Sequence, residues 1–139
     1  MTSRLQIAFV LAAVCAMLPA CATVHAPART IYLTQKQDGG SVVVPLGTTI
    51  DVKLSKMRWT EIQASDEQMP APLLHRTARP TPSEDGTAAA TFVATHPGKV
   101  TLMAQGRANC SSGQACPHFL VQWSRTIEIV DGAPESSTP

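Results

Sequence analysis

Between Ala88 and Gly106 the chain alternates apolar and polar residues twice over. Phe92 and Ala94 alternate with Thr91, Val93 and Thr95, His96-Pro97-Gly98 interrupts, and Val100, Leu102 and Ala104 then alternate with Thr101 and Met103. Spacing of this kind sends every second side chain to one face, and that face must be buried. Two such runs on either side of a Pro-Gly turn predict a β-hairpin. No helical period follows residue 30, so the chain is expected to be all-β.

The remaining strand signals are shorter. Ile31 and Leu33 alternate with Tyr32 and Thr34, Gln37-Asp38-Gly39-Gly40 supplies a turn, and Val42 to Val44 precede Pro45-Leu46-Gly47. Ile50, Val52 and Leu54 then alternate with Thr49, Asp51 and Lys53, the pattern of a half-buried strand. Trp59 to Ala64 is a weaker strand. Pro70, Pro72, Pro80 and Pro82 leave room only for an edge strand around Leu73 to Thr77. In the last strand Phe119, Val121, Trp123, Ile127 and Ile129 share one face, and Arg125 is the exception. A bulge could turn Arg125 outward, or its stem could cover the edge with the guanidinium in solvent.

Seven or eight short strands with a turn signal about every ten residues fit an immunoglobulin-like antiparallel β-sandwich over residues 30–130. Its core would draw on Ile50, Val52, Leu54, Trp59, Phe92, Ala94, Val100, Leu102, Phe119, Val121 and Ile127. The whole chain of 139 residues allows one domain of ordinary size. Its formal charge is +1, and the eleven Lys and Arg residues are dispersed among ten acids, which argues against a nucleic-acid partner.

Residues 1–20 combine Arg4, an apolar run from Leu5 to Leu18 and a small-residue end, the pattern of a secretory signal peptide. Leu18-Pro19-Ala20-Cys21 resembles the lipobox of bacterial lipoproteins, which implies lipidation of Cys21, a tether over 21–29 and a membrane-anchored envelope protein. Cleavage after Ala22 at Ala20-Cys21-Ala22 would instead release a soluble protein beginning at Thr23. Residues 131–139 are polar and rich in Pro and Ser, and are expected to be disordered.

Export leaves Cys110 and Cys116 as one pair in the domain, which is expected to form a disulfide that orders the loop from Arg107 to His118. A zinc site of Cys110, Cys116 and His118 is the weaker alternative, because structural zinc favours closer cysteine pairs. The acidic pairs Asp66-Glu67 and Glu84-Asp85 lack the ligand series of a calcium loop and are assigned to solubility and turns. There is no G-x-S-x-G, H-E-x-x-H or phosphate loop. The expectation is a non-enzymatic protein without metal or cofactor.

The V-x-V-x-x-G-x-x-I-x-V-x-L of Val42 to Leu54, Trp59, and the F-x-A-x-x-P-G-x-x-x-L of Phe92 to Leu102 together resemble the immunoglobulin-like domain of the chagasin-type cysteine-peptidase inhibitors. The resemblance implies three loops at one end that meet a protein partner, in that family's manner a peptidase. Here they would be Ser55 to Arg58, Ala78 to Gly86 and Gly106 to His118. Candidate contact residues are Lys56, Met57, Arg58, Trp59, Glu84, Asp85, Arg107, Gln114 and His118. Ser55-Lys56-Met57-Arg58 stands where the family has Asn-Pro-Thr-Thr-Gly, and the third loop carries the cysteine pair in place of Arg-Pro-Trp. The residues themselves support three readings: a binding module, an inhibitor, or a structural accessory domain of the envelope.

Overall fold

The computed structural model describes residues 29–78 and 83–132. The expected signal peptide, Cys21, nearly all of the tether, and residues 133–139 of the expected tail lie outside the described residues. Among the described residues there are nine strands: β1 (Thr30–Thr34), β2 (Ser41–Pro45), β3 (Thr49–Leu54), β4 (Arg58–Trp59), β5 (Gln63–Ala64), β6 (Leu74–Arg76), β7 (Ala88–Ala94), β8 (Gly98–Arg107) and β9 (Leu120–Val130). One sheet has the order β1-β3-β7-β6, and the other has the order β2-β9-β8-β4 with β5 also on β8.

The expected all-β sandwich is therefore the fold. The strand count exceeds seven or eight because the weak strand after Trp59 divides into β4 and β5, which pair separately with β8. The sheets are antiparallel in their centres, while β1 runs parallel to β3 and β2 parallel to β9. Local chemistry explains how the chain leaves β1 for the other sheet. Thr34 caps a 3-10 turn at Gln35–Gln37, Asp38 accepts from Ser124 N at 2.9 Å, and Gly39 N reaches Ser124 O at 2.7 Å.

The hairpin expected at Ala88 to Gly106 does not form. β7 pairs with β3 and β6, β8 pairs with β9, β4 and β5, and the two runs lie in opposite sheets. Alternation specifies which side chains turn inward, and that is the same for neighbours in one sheet and for strands facing each other across a core. Thr95-His96-Pro97 carries the chain across the sandwich. Thr95 N donates to Leu73 O at 2.8 Å, and Gly98 has φ +145°, where a Cβ would come within 2.8 Å of Leu73 Cδ1. Only glycine takes that path without strain.

Between the sheets lie Ile50, Val52, Leu54, Phe92, Ala94, Val100, Leu102 and Ile127, as expected, joined by Leu33, Val44, Ile62, Leu74, Trp123 and Ile129. The open side between β5 and β6 is closed by polar groups. Arg76 donates to Glu67 Oε1 at 2.7 Å and to the Ile62 carbonyl, and its guanidinium lies 4.8 Å from the centre of the Phe92 ring. Asp66, itself buried, accepts from Leu73 N. The Asp66-Glu67 pair thus lies in a turn, as expected, and that turn also clasps the two sheets together.

Arg125 follows neither course expected for it. β9 stays in register with β8 through Leu102↔Arg125, so there is no bulge. The guanidinium instead bonds the carbonyls of Gly39 and Ser41, at 2.5 and 3.0 Å, and fastens the turn before β2 to β9. At the end where β7 passes to β8 lie Arg29, whose carbonyl accepts from Thr49 N, and Val130, whose carbonyl accepts from Leu46 N.

Candidate functional site

At the opposite end β3 finishes at Leu54 beside Ala88, and β4, β8 and β9 meet at Arg58, Arg107 and Leu120. The first and third expected loops emerge here, as do the described residues of the second at 83–86; its residues 79–82 lie outside the described residues. The first is tied down from both sides: Gln35 Oε1 accepts from Ser55 N at 3.2 Å, and the Ser55 carbonyl accepts from Trp59 Nε1 at 3.0 Å. Lys56 at its tip holds φ +67°, a left-handed conformation that is uncommon for a residue with a side chain.

The second loop is stitched to the first where Trp59 N donates to Gly86 O at 3.1 Å. Asp85 Oδ1 accepts from Thr87 N at 2.9 Å. Hydrogen bonds from Ser83 first, and then from Thr87, hold its carboxyl below the usual aspartate range. The third loop is closed by the Cys110–Cys116 disulfide, with Cα atoms 5.7 Å apart. Asn109 Nδ2 links it to the Asp85 carbonyl at 3.5 Å. Lys56, Met57, Arg58, Trp59, Glu84, Asp85, Arg107 and His118 are thereby gathered at one end, and Gln114 sits on the exposed span of the disulfide loop.

Trp59 is anchored by an absence of side chain. Its ring lies over Gly106, where an added Cβ would come within 2.8 Å of Cζ3 and 2.9 Å of Cε3. Trp59 was expected in the core, yet it is only half-buried, with one edge facing the loop end.

Phe119 and Val121 correct the sequence reading more sharply. Both were expected inside, and they are 46% and 37% exposed, next to Leu120 at 62%. The inward parity holds for β9, since Trp123, Ile127 and Ile129 are buried. The opposing sheet, however, stops at Leu54 and Ala88, so Val121 meets an open cleft of about 290 Å³ that Trp59, Met57 and Trp123 also line. A hint was present in the lengths. β9 has 11 residues against 6 in β3, and at about 3.3 Å per residue its end must outrun its cover.

On the outer side, a second cleft of about 660 Å³ is bounded by Arg58, Trp59, Arg107, His118, Phe119 and Leu120. The loop end thus carries an apolar ridge, the projecting start of β9, with Phe119 and Leu120 on the outer cleft beside Arg58 and Arg107 and with Val121 on the inner one. Such a surface can bind a protein by burying the ridge, and the bonded loops lower the ordering cost. Among the described residues no group of three His, Cys, Asp or Glu residues is arranged to hold a metal ion.

Compared with solved structures, the domain superposes on the cysteine protease inhibitor EhICP2 from Entamoeba histolytica. The TM-score is 0.52 at 11% identity, over 76% of this chain and all of that one. The chain shares the fold of that inhibitor. Amebosin is a looser match, with a TM-score of 0.41 at 9% identity over 73% of this chain and 98% of its own. PbICP-C, solved in complex with falcipain-2, gives 0.30 at 14% identity over 75% and 92%. No protein-family model and no curated protein matches the sequence.

Proposed function

We propose that this domain binds a papain-like cysteine peptidase through its loop end and blocks it, contributing no chemistry of its own. The observation that carries the reading is the exposed ridge of Phe119, Leu120 and Val121 beside three loops bonded to one another at Trp59, Gly86 and Asn109. The fold shared with EhICP2, named as a cysteine protease inhibitor, supports the choice of partner. Titration of papain with the purified mature protein is expected to give nanomolar inhibition. Joint replacement of Phe119 and Leu120 by alanine should weaken it by about a hundredfold, the scale of a lost interface hot spot. Papain that stays fully active at micromolar protein would refute the peptidase reading.

The disulfide and Ser55-Lys56-Met57-Arg58, which replace the loop sequences of the inhibitor family, favour a second reading in which the same end captures an envelope protein other than a peptidase. Capture from envelope extract that depends on Phe119 and Leu120, without papain inhibition, would distinguish it.

We further propose export with a lipid on Cys21, from the apolar run and the lipobox-like Leu18-Pro19-Ala20-Cys21. Mass spectrometry of the mature N-terminus should find diacylated Cys21, and a free Thr23 would count against anchoring.

A further inference from the structure

Arg58 on β4 and Arg107 on β8 are direct cross-strand partners, so their side chains leave the sheet on the same face. Like charges opposite one another destabilise a strand pair. Both guanidinium groups are exposed, so solvent screens the repulsion, but neither has an ion-pair partner among the described residues, whose ion pairs use Arg76 and Lys99. Both line the outer cleft together with His118, and among the described residues no carboxylate lines it. Asp85, although nearby in the chain fold, takes its bonds from Ser83 and Thr87. Next in register after Arg107 comes Leu120, and Phe119 borders the same cleft.

We infer that this cleft is a recognition site for an acidic peptide segment of the partner protein, a carboxylate lying between Arg58 and Arg107 with an apolar neighbour on Phe119 and Leu120. Guanidinium groups suit this task because their planar donor fork matches a carboxylate and stays charged at any physiological pH. The apolar border and the continuity with the ridge favour a protein segment over a small anion. A cleft whose cations repel one another in the free protein gains most from a ligand that brings the missing negative charge. The inference rests on the reading of the loop end as a protein-binding surface and specifies what that surface selects.

Calorimetric titration of the full mature chain with acetyl-Phe-Glu-Glu, acetyl-Phe-Lys-Lys and inorganic phosphate tests it. The acidic peptide should bind at least about tenfold more tightly than the basic one, and more tightly than phosphate, as expected for charge-assisted pairing. Arg58→Ala with Arg107→Ala should abolish that preference while leaving the urea midpoint unchanged or raised, because a repulsion is removed. Equal binding of both peptides, tighter binding of phosphate, no binding at all, or a preference that survives the double variant would overturn the assignment. The two proposals fail separately. A domain that inhibits papain yet ignores peptide charge keeps the inhibitor reading and loses this one. A domain that selects the acidic peptide but leaves papain active does the reverse.

Discussion

Phe92→Ala is expected to destabilise the domain by about 3–5 kcal/mol, the usual cost of deleting a large buried aromatic ring. Phe92 is fully buried in the middle of β7, in register with Ile50 on β3 and Arg76 on β6. Its removal leaves a hole in the core that Phe92 shares with residues of the other sheet, Val100 and Leu102 among them. It also takes away the ring over which the Arg76 guanidinium lies. Urea unfolding should show a lowered midpoint at an unchanged slope, and Phe92→Leu should recover most of the loss because it restores apolar volume. A loss under about 1 kcal/mol for the alanine variant would mean that the core can collapse around this position, contrary to close packing between the sheets.

Arg76→Met is expected to cost about 2 kcal/mol, as for the loss of charged hydrogen bonds in a partly exposed setting. The methionine keeps an apolar contact on Phe92, so the loss isolates the polar clasp. Without the guanidinium the Ile62 carbonyl loses its Arg76 donor and the Glu67 carboxylate keeps only Ala64 N, at 3.4 Å. The same substitution should change the response to acid. The hydrogen bond from Arg76 is the main cause that holds the Glu67 carboxyl below its ordinary value of 4.5. A carboxyl lowered on folding adds stability above its unfolded value, and that stability is lost as pH falls through the folded value. Urea midpoints followed from neutral pH to about pH 3 should therefore fall less steeply in Arg76→Met than in the parent. Parallel curves would show that Glu67 does not contribute to the acid slope.

Several of these features are legible in the sequence alone. Ile50, Val52, Leu54, Phe92, Leu102 and Ile127 announce their burial through period two, and Cys110 and Cys116 pair by elimination once export is assumed. Which strands neighbour which was not legible, because Phe92 and Leu102 would show identical spacing in a hairpin and across a sandwich. Phe119 and Val121 have the parity of core residues, yet exposure depends on where the opposite sheet stops. Glu67 and Arg76 lie in different strand patterns and meet only because β5 and β6 border the same open side. The Arg58–Arg107 pair required the register of β4 on β8, which two residues of strand cannot announce.

The positions of the chain ends carry a consequence for display. Arg29 and Val130 both lie at the end where β7 crosses to β8, a full strand length from the three loops. The segments that lead into Arg29 and out of Val130 therefore join the domain at the end away from Trp59, Phe119 and the disulfide loop, and leave those loops unobstructed by their attachment.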